Sequence, residues 1–102
     1  MSELIRQVTD RDARKRELTA DRVPDWLGSY SLADGRLRAG VLSAAAAGES
    51  DMRALEAQLN ALLALGAGGL TDLECLGRLH EVDFTGWPAE LVDYMHDLLD
   101  IT

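Results

Sequence analysis

The fold of this chain is decided by residues 50–65, which read SDMRALEAQLNALLAL. Large apolar residues recur there at spacings of three, four and three, the period of one helix face: Met52, Leu55, Leu59 and Leu62. Ser50 belongs to the residue types that cap helix N-termini, and Gly66 to those that end helices. This stretch therefore predicts an amphipathic helix over residues 51–65.

Two further helices are predicted downstream. Thr71, followed three residues later by Glu74, has the spacing of a capping box, which predicts a helix over residues 72–80. Pro88 suits the first turn of a helix because it lacks a backbone N–H. The apolar stripe that follows it consists of Leu91, Val92, Met95, Leu98 and Leu99. This stripe predicts a helix over residues 88–99 whose outer surface is acidic.

Upstream of residue 48 the helical signal is weaker. Residues 36–47 end in four alanines and predict a helix. The pair Asp34-Gly35 is also a signal for a two-residue hairpin turn, so a β-hairpin is the minority alternative there. Residues 1–22 are highly charged in their middle part, and predict either an exposed helix that ends near Ala20 or an arm that only a partner orders.

Composition supports the same fold class. The chain has 102 residues, of which 47% are hydrophobic and 5% aromatic. Leu and Ala supply most of the apolar content, and they favour helices over strands. We therefore expect an all-α fold, a small four- to five-helix bundle with a variable N-terminal helix or arm. A chain of this length is expected to form a single domain over residues 1–102.

The cellular setting is inferred from what the chain contains. A single cysteine and a charged N-terminus without an apolar leader predict a reducing, cytosolic location. The longest uncharged run, residues 59–71, contains three glycines and is too short to cross a bilayer as a helix. We expect no association with membranes.

Charge is divided unequally along the chain. Residues 1–47 carry eight basic and seven acidic side chains, whereas residues 48–102 carry eleven acidic side chains and two arginines, giving +1 and −9. Clustered like charge speeds encounter with an oppositely charged site. The acidic half therefore predicts binding to a basic protein surface, such as that of a nucleic-acid-binding protein, and no direct binding of nucleic acid. The candidate partner-binding residues are Asp83, Phe84, Trp87, Glu90, Asp93, Asp97 and Asp100.

Two tryptophans lie near prolines in predicted loops. A large aromatic side chain in such a loop either fills a small core or anchors a partner. We expect at least one of Trp26 and Trp87 to fill the core. Phe84 and Trp87 flank Gly86 between the two most acidic segments, so residues 81–87 are the first candidate for a recognition surface.

No arrangement of residues predicts catalysis, a metal or a cofactor. Cys75 and His80 are five positions apart, about 140° around a helix axis, so they point to different faces. His96 has Asp93 and Asp100 on adjacent turns, but carboxylates near a histidine are ordinary on an acidic helix surface. We expect a protein that is not an enzyme and has no catalytic, metal or cofactor site.

A basic cluster precedes the predicted bundle. It consists of Arg11, Arg14, Lys15 and Arg16, which alternate with Asp10, Asp12 and Glu17, so the net charge is only +1. Such a cluster is a poor ligand for a phosphate backbone. It is either a solvated face or a contact with the acidic half of this chain or of a second subunit.

Residues 27–32, LGSYSL, resemble the Gly-x-Asp-Ser-Leu motif of acyl and peptidyl carrier proteins through Gly28, Ser31 and Leu32. Tyr30 stands where that family has an aspartate or histidine. The resemblance implies an acidic four-helix domain that carries phosphopantetheine on Ser31. A turn in which Ser31 caps the next helix explains the same residues.

Three functions follow from these patterns. The favoured one is a small acidic, non-catalytic protein-binding module of the inhibitor, immunity or antitoxin type, including phage-encoded mimics of nucleic-acid charge, by analogy of charge and size. The alternative is a structural or adaptor subunit of a homo-oligomer, such as a homodimer, or of a larger complex. The third is a carrier protein modified on Ser31.

Overall fold

The computed structural model describes residues 2–72 and 74–99, and it confirms the all-α bundle. Its helices are α1 (Ser2–Val8), α2 (Ala13–Arg22), α3 (Leu32–Ala47), α4 (Met52–Ala67) and α5 (Ala89–Leu99). Short 3₁₀ segments occur at Pro24–Ser29 and Leu79–Glu81. The described residues contain no β-strand, and none of their helices combines the length and apolar character needed to cross a bilayer.

Helix α4 is the centre of the bundle, and α2, α3 and α5 each pack against it. Its buried residues are Ala54, Leu55, Ala57, Gln58, Leu59, Ala61, Leu62 and Leu65. The predicted leucine stripe is therefore confirmed as core. The alanines between the leucines are buried as well, because neighbouring helices cover α4 on more than one side and small residues allow them to approach.

Both ends of α4 differ from the prediction. Asp51, not Ser50, caps the N-terminus, since its carboxylate accepts a hydrogen bond from the Ala54 amide at 2.9 Å. The helix continues through Gly66 and ends where Gly69 adopts a φ of 75°. There the Leu70 amide donates to the Leu65 carbonyl at 2.8 Å, which completes a C-terminal capping motif that requires a left-handed residue.

Helix α3 begins four residues earlier than predicted, at Leu32. The hydroxyl of Ser31 caps it by accepting a hydrogen bond from the Asp34 amide at 3.1 Å. The hairpin alternative is wrong, because Asp34-Gly35 lies inside this helix. Gly35 is buried against Leu70, and its lack of a side chain serves that close approach rather than a turn.

The predicted helix over residues 72–80 is wrong. Residues 74–78 form turns that lead into the 3₁₀ segment, and residue 73 lies outside the described part of the chain. The capping box is absent: the carboxylate of Asp72, rather than Thr71, accepts from the Cys75 amide at 3.0 Å. Gly77 lowers the helix propensity of this segment. Burial of Leu76 and Leu79 instead stabilises the turns and the 3₁₀ segment, in which the backbone is wound more tightly than in an α-helix.

Residues 2–22 form two helices rather than one. Asp12 separates them and caps α2 by accepting a hydrogen bond from the Arg14 amide at 2.9 Å. Helix α2 packs along α4, and Val8, Ala20 and Val23 belong to the buried core. The charged residues that the sequence predicted to be exposed therefore form the outer surface of α2, whose inner surface packs against α4.

Candidate functional site

The acidic candidate residues of α5 lie on its outer surface. Leu91, Met95 and Leu98 are buried against the bundle. Glu90, Asp93 and Asp97 are exposed, and their spacings of three and four place them in one row along the helix. We call these three residues the acidic row. Asp100, also predicted to bind a partner, lies outside the described residues.

The aromatic candidates form a cluster beside α5. The Phe84 ring lies 6.0 Å from the Trp87 ring and 5.7 Å from the His96 ring, centroid to centroid, and it meets His96 edge to face. Phe84 and Trp87 are half-buried and pack against the core. They therefore fix the loop before α5 and present only part of their surface to solvent.

The loop between these aromatic residues is held by local bonds. Gly86 has a φ of 89°, a left-handed conformation that side chains disfavour. The Asp83 carboxylate accepts a hydrogen bond from the Thr85 amide at 3.0 Å. Hydrogen bonds from the hydroxyl and amide of Thr85 lower the pKa of Asp83 below its usual range. Asp83 is thus exposed and charged, but its carboxylate is already engaged within its own turn.

The basic cluster contacts the acidic half of the same chain. Arg14 pairs with Glu17 and Asp51. Arg16 donates two hydrogen bonds to the Glu49 carboxylate, from Nε to Oε1 and from Nη2 to Oε2, both 2.8 Å long. Of the two interpretations offered by the sequence, contact within the chain is the one observed for these two arginines.

Glu49 is the most enclosed carboxylate of this network, with a side chain only 3% exposed. It also accepts hydrogen bonds from Gln58 Nε2 at 2.9 Å and from the Asp51 amide at 3.0 Å. Burial alone would raise the pKa of Glu49, but the hydrogen bonds from Arg16, the Asp51 amide and Gln58 hold it below its usual range. The sequence allowed a contact between the basic cluster and the acidic half but did not single out Glu49, because 33 residues separate it from Arg16.

Trp26 does not fill the core. Its side chain is 62% exposed in the first 3₁₀ segment, whereas Trp87 is the tryptophan packed against the bundle. Leu32 and Leu37 of α3 are also largely exposed, at 59% and 56%. Exposure leaves Trp26 as a candidate partner anchor, as the sequence allowed. The exposure of Leu32 and Leu37 was not anticipated, because the apolar residues of α3 do not lie on a single face.

The contacts described above do not form a metal site, and they do not test whether Ser31 carries a modification. Within residues 2–72 and 74–99, no three His, Cys, Asp or Glu side chains come together as metal ligands. Ser31 is exposed and its hydroxyl caps α3, so modification of Ser31 stays a prediction. Comparison with protein-family models, with curated proteins and with solved structures finds no match to this chain.

Proposed function

We propose that this chain is a small acidic, non-catalytic protein-binding module, of the inhibitor, immunity or antitoxin type, whose α5 face occupies a basic site on a partner protein. The acidic row of α5 is the observation that carries the proposal. None of the ion pairs between described residues involves Glu90, Asp93 or Asp97. The sequence from residue 79 to residue 102 contains no lysine or arginine that could neutralise them.

The energetics of the row support binding rather than folding as its role. Like charges three or four residues apart on a helix destabilise it by a few tenths of a kcal/mol per pair. Asp97, in the last turn of α5, also opposes the helix macrodipole, whereas Glu90 lies in the first turn, where the macrodipole favours an acid. The repulsion among these carboxylates is offset when a partner places cations beside them. The negative charge of the row also speeds the encounter with a basic partner.

Neutralising the acidic row is expected to weaken partner binding at least tenfold and to flatten its salt dependence. The variant is Glu90→Gln/Asp93→Asn/Asp97→Asn, and the partner is first isolated by affinity capture from the native host and identified by mass spectrometry. Binding of the purified partner is then measured by calorimetry at several salt concentrations, because exposed charge pairs weaken as salt screens them.

A matched control changes the net charge equally at other exposed acids. The variant Glu3→Gln/Asp25→Asn/Glu56→Gln removes three carboxylates from α1, the first 3₁₀ segment and α4. It should keep affinity within about threefold of the parent, a difference of roughly 0.6 kcal/mol. The proposal is wrong if the α5 variant binds as the parent does, or if both triple variants lose affinity equally.

A structural or adaptor subunit is the second candidate, and the outer surface of α3 favours it. Exposed Leu37 lies on one side of α3 with the exposed alanines Ala33 and Ala44, whereas exposed Leu32 lies about 140° around the helix axis from Leu37. A contiguous group of exposed apolar side chains on one helix face is typical of interfaces between subunits.

The adaptor function predicts a stable homo-oligomer that Leu32→Glu/Leu37→Glu dissociates. Buried carboxylates without partners are costly, so the double variant should sediment as a monomer. The control Leu18→Glu/Met52→Glu changes exposed apolar residues of α2 and α4 and should leave the oligomer intact. A parent protein that sediments strictly as a monomer at micromolar concentration would exclude this candidate.

A further inference from the structure

An apolar cleft adjoins the acidic row on α5. It has a volume of about 630 Å³ and lies between the C-terminal part of α4, the connection after it and the end of α5. Its apolar lining comes from Leu63 and Ala67 of α4, Leu76 of the connection and Leu98 of α5. Clefts of this size accommodate a bulky ligand group or a pair of large side chains.

The local sequence keeps this cleft open. The small residues Gly66 and Ala67 stand where α4 ends, and a side chain at Gly66 would press on the Thr71 methyl group, 3.2 Å from its Cβ position. Thr71 also lines the cleft, and its hydroxyl oxygen is buried without a hydrogen-bond partner among the described residues. The lining of the cleft is therefore mainly apolar, with one polar atom, the Thr71 hydroxyl, that has no partner among the described residues.

The edge of the cleft is acidic. Asp97 borders it and belongs to the acidic row, so the row continues from the cleft along α5 to Glu90. Asp72 is the other carboxylate at the edge, and Arg36 pairs with it at 3.0 Å. The negative charge without an ion-pair partner therefore lies on the α5 side of the cleft. An occupant of the cleft would need its cations on that side.

The spacing of the row indicates the form of such an occupant. From Glu90 to Asp97 the helix rises about 10 Å, or two turns. Lysines or arginines one turn apart on a second helix have the same repeat, and an apolar anchor on that helix would then reach the cleft. A second copy of this chain is disfavoured as the occupant, since its α5 is acidic and its most basic helix, α2, is packed on α4.

We infer that this cleft receives the apolar anchor residue of a basic amphipathic helix, while the acidic row binds the cations of the same helix. This inference rests on the proposed function and specifies the partner chemistry at that site. In this arrangement the apolar contact in the cleft contributes most of the binding affinity. The charged contacts along α5 raise the association rate and orient the helix.

The test uses a synthetic helical peptide of leucine and lysine, with leucines at helical spacing on one face. Two comparison peptides have the same composition in scrambled order, and the same pattern with glutamine in place of lysine. The patterned basic peptide should bind at least tenfold more tightly than either. Amide chemical shifts of the intact protein should change at the residues that line the cleft, which are residues 63, 66, 67, 71, 72, 76, 97 and 98.

Filling the cleft separates this inference from the proposed function. Ala67→Trp should weaken binding of the basic peptide at least tenfold, whereas Ala44→Trp, which changes an exposed alanine of α3, should leave it within twofold. If neutralising the acidic row abolishes binding but Ala67→Trp does not, the proposed function stands and the cleft inference is overturned.

Other occupants give different results, and each overturns the inference. Concentration-dependent shifts at the cleft without peptide would identify a second copy of the chain. A tenfold gain in peptide affinity on deleting residues 100–102 would identify the chain's own C-terminus. Equal binding of the scrambled peptide, or no binding of any peptide, would show that the cleft does not recognise a basic helix.

Discussion

Replacing Glu49 by glutamine is expected to lower the free energy of unfolding by about 3 kcal/mol, the lower end for breaking a buried ion pair. Glutamine keeps the size of the side chain but removes the charge that Arg16 faces. The Arg16 side chain is 17% exposed, so water relieves part of the cost and the effect stays below the maximum. Urea denaturation followed by circular dichroism measures the change.

The same substitution should change how stability depends on pH. Because folding lowers the pKa of Glu49 from its ordinary value near 4.5, its ionised form stabilises the fold above that pH. That contribution is lost as the pH falls below 4.5 and through the lower pKa of the folded state. The difference in stability between the parent and Glu49→Gln should therefore be largest near neutral pH and shrink on acidification.

A surface ion pair provides the control. Glu3 pairs with Arg6 at 2.6 Å, but both side chains are mostly exposed. Glu3→Gln should change stability by less than about 0.5 kcal/mol. If Glu49→Gln is as mild as Glu3→Gln, or if its effect does not shrink at acid pH, the Glu49 network does not stabilise the fold as we expect.

Replacing Gly35 by alanine is expected to destabilise the protein by about 1–3 kcal/mol, as overpacking of a core does. The added Cβ would lie 2.7 Å from the Cβ of Leu70, which is bound to the backbone and cannot turn away. The connection after α4 would have to move from α3. The gain in helix propensity from glycine to alanine, up to about 1 kcal/mol, is too small to offset this.

The same substitution five residues later should have the opposite sign. Gly40 also lies within α3, but apart from its chain neighbours and the nearby backbone of its own helix, no described atom lies within 4 Å of the position that its Cβ would take. Gly40→Ala should therefore stabilise the protein by up to about 1 kcal/mol through helix propensity alone. Thermal and urea denaturation of both variants measure the contrast. Two variants that shift stability in the same direction would show that the close approach of Leu70 to α3 is not as described.

The two groups of carboxylates have different roles in this chain. Those that form ion pairs in the described residues all precede residue 75. Apart from two pairs within α1 and within α2, these ion pairs join α2 to residues 49–53 at the start of α4, and α3 to the connection after α4. Those of α5 face solvent. Most of the ion pairs thus join parts of the scaffold. Exposed acids without an ion pair also occur elsewhere, as at Asp25 and Glu56, but on α5 three of them follow one another along one side of the helix.

Some of the candidate site was accessible to sequence reasoning. The acidic row follows from the spacing of Glu90, Asp93 and Asp97 against a buried stripe, a pattern local to one helix. The aromatic cluster was anticipated only in part. Phe84 and Trp87 were placed in the correct loop, but their contact with His96 and their partial burial depend on how that loop folds back on α5.

Periodicity along the chain was sufficient for α4 and α5, because the repeat of a helix and the placement of its apolar face are properties of consecutive residues. Net charge and its concentration after residue 48 are likewise matters of composition. The path of residues 74–81, the burial of Glu49 beneath Arg16, the contact of Gly35 with Leu70 and the apolar cleft beside α5 are not. Each of these features forms only when segments distant in sequence come together. Packing and desolvation act on the side chains only after that approach, so the tertiary structure alone determines these features.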